Sequence, residues 1–347
     1  MPELRRDPII GRWVIIATER AKRPDQFSSS LVEKEELGPG EKCPFCEGNE
    51  NMTPPEIYAL RKGHSLPNTP GWEIRVIPSI SPLLQVEANI DRHGHGMYDI
   101  MNARGAHEIV VESPAHLSEG QLPKEQLVKG VNVILDRILD LEKDPAIKYV
   151  LVFKNYGKAA GGGHIRHSRT QIIGTPVNLK RVKEELVGAK MYYDYKDRCI
   201  FCDMMKQEVK AAKRVIIDTE KFIAISPFAS RFPFETWILP KVHSCDFYKM
   251  DRNDVGDFVD IIKILFAKIT KVIGPFPFNF VLHTAPFRRD VGKRGHWETI
   301  EKDYHWHIEI LPILTRVAGF EWGSGFYINP LPPEEACKSV REAEISS

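Results

Sequence analysis

The stretch HSRTQII, residues 167–173, ends a series of metal-binding residue types that occurs twice along the chain. The series is a Cys-x-x-Cys pair, then a histidine, then a second histidine that opens a strand-like run. Its members in the first half are Cys43, Cys46, His116 and His167. In the second half the last run is HWHIEIL, residues 305–311, and the members are Cys199, Cys202, His243 and His305. A series repeated in the same order indicates an internal duplication.

Each series offers two thiolates and two imidazoles, which is the ligand set of a closed tetrahedral zinc site. The two CxxC pairs contain four of the six cysteines. In a reducing compartment, cysteines at this spacing favour a metal over a structural disulfide. A thioredoxin-like redox motif is the alternative, but neither pair opens the strand-to-helix unit that this motif requires. The sequence therefore predicts two zinc ions per chain.

The rest of the pattern repeats as well. Apolar residues at helical spacing occur in KEQLVKGVNVILDRILDLEKD and again in NDVGDFVDIIKILFAKITKVIG. Strand-like runs bounded by turn residues flank both segments. They are WEIRVIP, AHEIVVESP and KYVLVFKN in the first half, and RVIIDTEKFIAISP, ETWILPKVH, FNFVLHTAP and WHIEILPIL in the second. The residues alone thus predict a duplicated α+β protein with two zinc sites.

Composition limits the partners of this chain of 347 residues. Its 48 basic and 47 acidic residues give a net charge of +1, so there is no global attraction to nucleic acid or to an anionic membrane surface. No apolar run approaches the roughly 20 residues of a spanning helix, and the N-terminus lacks the apolar stretch of a signal peptide. We expect a cytoplasmic protein that meets anionic ligands with local residues.

Several segments, taken together, resemble the galactose-1-phosphate uridylyltransferase family of the histidine-triad superfamily. They are LRRDPIIGRWVIIATERAKRP, CPFCEGNE, SPAH, FKNYGKAAGG with HSRTQIIG, and PFASRFPFETWILPKVH with HWHIEILP. The similarity extends in order from about Leu4 to Ala343, and the double CxxC pattern resembles the subgroup that includes plant ADP-glucose phosphorylase. The resemblance implies an α+β fold of two tandem histidine-triad-like halves, residues 1–190 and 191–347. Each half would be a mainly antiparallel sheet with packed helices.

The resemblance also implies an activity and an assembly. In this family a histidine attacks the α-phosphorus of a nucleotide sugar, holds the nucleotide as a phosphoramidate and passes it to a sugar phosphate. A neutral imidazole is nucleophilic near neutral pH and still leaves once phosphorylated. The expected reaction moves UMP between UDP-glucose and a hexose 1-phosphate, in a homodimer whose active sites borrow residues from the partner. The alternatives are adenylyl transfer, as in ADP-glucose phosphorylase, and a catalytically silent nucleotide-sugar binding protein.

The family's His-Pro-His-Ser-Gln motif is altered in this chain. Aligning QII with QII places His167 on the zinc ligand, Arg169 on the nucleophile and Gln171 on a glutamine that donates to a phosphoryl oxygen. A guanidinium stays protonated and has no available lone pair, so Arg169 cannot replace the nucleophile. Three interpretations stay open. In the first, the chain is a poorly active variant in which Arg169 pairs with phosphate oxygens. In the second, the reaction has shifted to direct displacement, with Arg169 stabilising charge on the transferring phosphoryl group. In the third, a shifted loop register puts His164 or His167 in the nucleophile's place.

One histidine of the second half is a further catalytic candidate. His307, in HWHIE, occupies the position equivalent to Arg169. The alternative is a structural role, because in some members of the family His283, His305 and His307 would together hold a second metal ion. The second cysteine pair suggests instead that His305 alone joins the second series.

Substrate contacts follow from the resemblance at further positions. Two arginines in TERAKRP match family arginines that reach the phosphates or the nucleotide from the partner subunit. The segment KNYGKAAGG matches a loop against the nucleotide, where small residues let the backbone approach closely. One serine stands where many members have asparagine, and a glutamate in AGFEWGSGFYINP matches one near the sugar hydroxyls. The predicted substrate-binding residues are Arg20, Arg23, Ser79, Asn155, Gly157, Glu321 and Tyr327.

Overall fold

The fold is built on an antiparallel sheet that both halves of the chain share. The computed structural model describes residues 1–20, 27, 42–163, 165–288 and 297–345. Its strands are β1 (Glu3–Arg6), β2 (Trp13–Ile16), β3 (Tyr58–Arg61), β4 (Trp72–Pro78), β5 (His93–His95), β6 (Tyr98–Ile100), β7 (Ala106–Val111), β8 (Tyr149–Tyr156), β9 (Arg169–Thr175), β10 (Val215–Asp218), β11 (Phe222–Ile225), β12 (Thr236–Pro240), β13 (Phe278–His283), β14 (His307–Pro312) and β15 (Tyr327–Asn329). Its α-helices are α1 (Lys124–Glu142), α2 (Lys180–Lys196), α3 (Ile200–Ala211), α4 (Val255–Ile273), α5 (Ile300–Asp303), α6 (Gly319–Ser324) and α7 (Pro333–Glu342).

The order of the strands shows the duplication directly. Ten strands form the main sheet in the order β10-β11-β12-β14-β13-β8-β9-β7-β4-β3, and all neighbours pair antiparallel. Outward from the centre, the first half contributes β8, β9, β7, β4 and β3, and the second half contributes β13, β14, β12, β11 and β10. Helix α1 joins β7 to β8, as α4 joins β12 to β13. The predicted α+β fold of two tandem halves is confirmed, while the boundary at residues 190/191 falls inside α2 and stays a prediction.

One face of the sheet packs on α1 and α4. Leu135 and Ile138 of α1, and Phe258 and Leu265 of α4, are buried in one apolar cluster with Ile172 of β9. Successive strand residues point to opposite faces. Because Ile172 faces these helices, its neighbours in β9 face the other side.

The opposite face is covered differently in the two halves. In the second half, α2 and α3 pack over the sheet in a separate apolar cluster. In the first half, the turn that carries Cys43 and Phe45 packs against Ile109 and Val111 of β7. Beyond that turn, the outward residues Arg169 and Gln171 of β9 are half-buried. This partly open face therefore lies beside the first Cys-His series.

Smaller elements complete the fold. The β1 and β2 strands pair antiparallel, and β15 joins β2 in parallel to form a three-stranded sheet. The β5 and β6 strands form an exposed hairpin. In the described residues, no helix combines the length and the apolar character that crossing a membrane requires.

Most of the predicted elements are confirmed. WEIRVIP coincides with β4, and the two long helical patterns are α1 and α4. The segment RVIIDTEKFIAISP forms a hairpin of two strands, β10 and β11. Helices α2, α3 and α7 were not predicted. In α2 the buried residues Val182, Leu186 and Ala189 are interspersed with charged and tyrosine side chains, which obscures its apolar stripe.

Candidate nucleotide-transfer site

Both predicted Cys-His series converge in space. In each, the four ligand atoms lie within 4.8 Å of one another. We call them the first cluster (Cys43, Cys46, His116 and His167) and the second cluster (Cys199, Cys202, His243 and His305). The first thiol pair lies on a turn and the second pair at the N-terminus of α3, which follows another helix. Neither pair thus opens the strand-to-helix unit of a thioredoxin-like motif.

The atoms of the first cluster have the separations of a tetrahedral site. The distance from Cys43 Sγ to His167 Nδ1 is 3.5 Å, and that from Cys46 Sγ to His116 Nδ1 is also 3.5 Å. A tetrahedral ion bound at normal zinc–sulfur and zinc–nitrogen distances would separate S and N ligands by about 3.6 Å. The donor set and its spacing therefore fit zinc.

The second cluster matches the first. Cys202 Sγ lies 3.4 Å from His243 Nδ1 and 3.6 Å from His305 Nδ1. The far ring nitrogens are fixed by backbone carbonyls in both clusters, with His167 Nε2 2.7 Å from Ser113 O and His305 Nε2 2.9 Å from Pro240 O. Such contacts orient Nδ1 toward an ion.

Arg169 lies two residues beyond the ligand position of His167, at the start of β9. Its Nη1 donates to Ile165 O at 2.8 Å and to His167 O at 3.1 Å, and its Nη2 donates to Gly162 O at 2.6 Å. The guanidinium also lies 5.3 Å from the ring centre of Phe45. Arg169 is thus folded onto its own loop and ties three of the loop's carbonyl groups together. This favours a loop-holding role over the predicted pairing with phosphate oxygens.

The position of His167 bears on the predicted shift of the loop register. Its Nδ1 faces both thiols of the first cluster, which favours the predicted ligand position over the nucleophile's place. His164, the other residue named for that shift, lies outside the described residues.

Gln171 and Asn155 lie on the same half-open face as Arg169. In the strand pairing Gln171 is opposite Phe153, so Asn155, two residues further along β8, lies beside Arg169. Both amides are half-buried. Ser79 follows β4, on the other side of β7 from Gln171, and its N–H donates to His107 O at 2.8 Å. The structure therefore brings Asn155, Gln171 and Ser79 to one region of the sheet.

The glycines after β8 allow a tight turn. Gly157 has a φ of +81°, and a Cβ there would lie 2.9 Å from the Pro277 side chain. A Cβ on Gly162 would lie 2.6 Å from Asn155 O. The chain therefore needs glycine at both positions to fold back on the end of β8. The predicted contact of Gly157 with substrate stays a prediction.

A buried ionic network holds this loop from the side of α1. Lys154 Nζ pairs with the carboxylates of Glu112 and Glu119. Ser168 Oγ lies 2.6 Å from a carboxylate oxygen of each glutamate, and Thr170 Oγ1 donates to Glu112 at 2.7 Å. Burial, with Glu112 nearby, raises the pKa of Glu119. Burial also opposes the charged form of Glu112, but Lys154 and the hydroxyls of Ser168 and Thr170 together outweigh it and lower the pKa of Glu112. The sequence pattern gave no signal for this network, because its members lie in separate segments.

His307 occupies a closed environment. Its side chain has no exposed surface, and its ring lies 5.0 Å from Trp237 and 4.6 Å from His283, centre to centre. Burial, with His283 beside it, lowers its pKa to about 4. A buried ring that no phosphorus atom can reach is not suited to nucleophilic attack, which favours the structural alternative over the predicted catalytic role.

The surroundings of His307 form a charged network. Glu185, His283, His307 and Glu309 have donor atoms within 4.8 Å of one another, a set that could hold a metal. The network already contains its own cations, because Arg231 pairs with Glu235 and Glu309, and Arg181 pairs with Glu185 and Glu309. Burial opposes the charged form of His283, but the two carboxylates outweigh it and raise its pKa to about 9. Three carboxylates then face three cations without a metal ion.

The remaining predicted residues lie elsewhere. Glu321 Oε2 accepts from Ala318 N at 2.9 Å at the start of α6. Tyr327 lies on β15, beside Arg12 and Phe232. These positions are on or near the three-stranded sheet and not on the main sheet that carries Gln171.

The two predicted arginines of TERAKRP are Arg20 and Arg23. Arg20 ends a 3-10 helix after β2, and Arg23 lies outside the described residues. Within one chain, the described residues therefore do not bring the half-open face that carries Gln171 and Asn155 together with the positions predicted for the sugar.

Comparison with known proteins agrees with this architecture. The C-terminal domain model of galactose-1-phosphate uridyl transferase matches residues 185–328, and an N-terminal domain described as a domain of unknown function (DUF4931) matches residues 98–177. The chain is 34% identical to ADP-glucose phosphorylase of Arabidopsis thaliana, over 99% of this chain and 94% of that protein. It is 29% identical to galactose-1-phosphate uridylyltransferase of Thermotoga maritima, over 99% of each.

A solved structure shows the same relation. The crystal structure of an ADP-glucose phosphorylase from Arabidopsis thaliana with bound ADP-glucose superposes with a TM-score of 0.82 at 32% identity, over 99% of this chain and 100% of that one. The fold and the paired clusters define a protein of two similar halves, each with its own Cys-Cys-His-His cluster. The chain belongs to the galactose-1-phosphate uridylyltransferase family, whose members include nucleotidyltransferases.

Proposed function

We propose that this chain transfers a nucleotidyl group from a nucleotide sugar by direct displacement, without a covalent histidine intermediate. The observation that carries the proposal is the position of Arg169 at the family's nucleophile, with its guanidinium bound to loop carbonyls. The half-open face keeps Gln171 and Asn155, the two amides that the family resemblance assigns to the phosphates. The first cluster also holds the loop that lies next to them.

The proposed reaction is a single displacement at the α-phosphorus of the nucleotide sugar. A phosphate oxygen of the acceptor attacks the α-phosphorus, the bond from this phosphorus to the bridging oxygen breaks, and hexose 1-phosphate leaves with that oxygen and its electron pair. Donors placed at the phosphoryl oxygens stabilise the charge that develops there. The amide N–H groups of Gln171 and Asn155 supply such donors.

We propose ADP-glucose as the first nucleotide sugar to test. The 34% identity to ADP-glucose phosphorylase over nearly the whole of both chains supports it. The second candidate is UMP transfer between UDP-glucose and a hexose 1-phosphate. It is supported by the 29% identity to the Thermotoga maritima uridylyltransferase and by the match of the C-terminal domain model.

The test uses each nucleotide sugar with phosphate or a hexose 1-phosphate as acceptor. We expect product from one donor, no covalent nucleotide on the protein by intact mass, and inversion at an α-phosphorothioate, because a single displacement inverts phosphorus. Arg169→His should restore a covalent adduct and change the outcome to retention. An adduct on any histidine of the unaltered protein would contradict direct displacement. Binding of a donor without product would leave only a nucleotide-sugar binding protein.

We further propose that each Cys-His cluster holds one zinc ion. The separations of 3.4–3.6 Å between sulfur and nitrogen ligands support this. Because each cluster supplies four protein ligands, the ion would be structural and would fix the start of β9 or β14. Metal analysis should give close to two equivalents per chain.

A homodimer is the third part of the proposal. The family resemblance implies it, and the residues predicted for the sugar lie away from the half-open face of the same chain. Helix α6, which carries Glu321, also exposes Trp322 at 79% of its surface. Sedimentation should show a dimer, and a strictly monomeric active protein would contradict an active site shared between subunits.

A further inference from the structure

Four polar side chains form a row across four neighbouring strands of the main sheet. From one side to the other they are His107 on β7, Gln171 on β9, Asn155 on β8 and Asn279 on β13. The register places Ile109 opposite Gln171, so His107 is the next residue of β7 on the same face. Asn279 is directly opposite Asn155. The row thus crosses the junction between the two halves.

The ring of His107 fixes the orientation of the Gln171 amide. Leu83 N–H donates to His107 Nδ1 at 3.2 Å, so Nδ1 carries no proton and the neutral ring is protonated on Nε2. His107 Nε2 lies 3.0 Å from Gln171 Oε1 and donates to it. The carbonyl oxygen of Gln171 is therefore held toward β7, and its NH₂ group is left for another acceptor.

Asn279 likewise fixes the orientation of the Asn155 amide. Its Nδ2 lies 2.8 Å from Ala160 O, which can only accept, so this atom is the NH₂ group of the amide. The same Nδ2 donates to Asn155 Oδ1 at 2.7 Å. Asn155 thus directs its own NH₂ group away from Asn279. A Cβ on Gly161 would lie 3.6 Å from Asn155 Nδ2, so the glycine keeps a side chain away from that group.

We propose that His107 and Asn279 are positioning residues, which hold the Gln171 and Asn155 amides so that both NH₂ groups face the phosphates of the nucleotide sugar. The inference rests on the proposed function and deepens it. A phosphoryl oxygen only accepts, so a reversed amide would present a carbonyl oxygen to negative charge. Asn279 comes from the second half, so that half contributes to the site of the first.

The test removes each positioning bond while keeping a polar side chain at the position. In Asn279→Asp, neither carboxylate oxygen can donate to Asn155 Oδ1, and the aspartate instead accepts from Asn155 Nδ2 and reverses that amide. In His107→Asn, Oδ1 can still accept from Leu83 N–H, but the donor to Gln171 is lost. We expect each variant to bind ADP-glucose or UDP-glucose, whichever the unaltered protein binds, about tenfold or more weakly.

A double-mutant cycle separates positioning from a merely structural role. In the Asn155→Ala background, Asn279→Asp should weaken binding less than it does alone, because the amide through which it acts is gone. The same holds for His107→Asn in the Gln171→Ala background. Losses that multiply in the double variants would overturn the proposal.

Gln126→Glu is the matched control for the cost of replacing an amide by a carboxylate. Gln126 Nε2 donates to the carbonyl oxygens of Glu73 and Glu112 at 2.7 and 2.8 Å, from α1 on the other face of the sheet. Its variant should lower thermal stability and leave affinity unchanged. Equal losses of affinity in Gln126→Glu and Asn279→Asp would overturn the positioning role.

The outcomes also separate this inference from the proposed function. Binding that depends on His107 and Asn279, without any transfer product, would overturn direct displacement and support the positioning role. Transfer that survives both single variants with unchanged affinity would support the function and overturn the positioning role. An unaltered protein that binds neither nucleotide sugar would overturn both.

Discussion

In the first half, the strand that follows the Cys-His cluster presents Arg169 and Gln171 on a half-open face. In the second half, the strand at the same place presents His307 and Glu309, which are buried. The clusters before these strands have the same four ligand types, with sulfur to nitrogen distances of 3.5–3.6 Å in the first and 3.4–3.6 Å in the second. The difference lies in what covers the sheet. A cluster alone therefore does not make a binding site.

The cover of the second half comes from two helices. Helix α2 supplies Arg181 and Glu185 to the charged network, and Phe201 of α3 lies 5.1 Å from His307, ring centre to ring centre. The first half has Gly157 and Gly162 after β8, in a turn that folds back on the strand end. Both halves thus keep a Cys-Cys-His-His cluster, while the sheet beside the second cluster is covered by helices and the sheet beside the first is left half-open.

Loss of one thiolate from either cluster should give the largest effect. We expect Cys43→Ser and Cys199→Ser each to lose one of two zinc equivalents and several kcal/mol of stability, because structural zinc sites have apparent binding free energies of about 10–16 kcal/mol. Metal analysis and denaturant unfolding would measure both changes.

The chelation rate sharpens the same comparison. His116 is exposed, whereas its counterpart His243 is half-buried. A chelator should therefore remove zinc from the first cluster sooner, so release from the unaltered protein should be biphasic, and Cys43→Ser should lack the fast phase. A single phase, unchanged by either variant, would show that the clusters are equivalent.

The charged network of the second half should give the next largest effect. Arg231→Met leaves the buried carboxylates of Glu235 and Glu309 without their main partner. Breaking a buried ion pair in this way typically costs about 3–5 kcal/mol. Denaturant unfolding would measure the change.

Arg169→Met is the matched control in the first half. Its carbonyl partners lie in a loop at a half-open face, where water can replace a lost donor, so the loss should be within about 1 kcal/mol. Equal losses in the two variants would show that the first-half face is closed as well.

The sequence predicted the features that repeat and missed those that do not. Both clusters, the two long helices and the position of Gln171 follow from the repeated order of residues and from the motif. The role of His107 was missed, because its partners Leu83 and Gln171 come from other segments and only strand register brings them together. Asn279 was missed for the same reason, since it acts on a residue of the other half. The burial of His307 depends on α2, which has no clear apolar stripe.

The charge of His283 in the second-half network should make the stability of the protein depend on pH. The carboxylates of Glu185 and Glu309 outweigh the effect of burial and raise its pKa to about 9 from the ordinary value of 6.5. The folded state therefore holds a proton that the unfolded state releases between these values. This contribution to stability is complete below about pH 6.5 and is lost as the pH rises toward 9, by at most about 3 kcal/mol.

His283→Gln should flatten the fall in stability between about pH 6.5 and 9, because the variant has no proton to release in that window. Unfolding by denaturant at several pH values would measure the slope, and His93→Gln, in the exposed β5 strand, should leave the slope unchanged. If His283→Gln kept the full slope, the ring would be neutral in the folded protein. The three carboxylates would then face only two arginines, and the network would need a further cation, which would bring the second half closer to a metal site and weaken its contrast with the first.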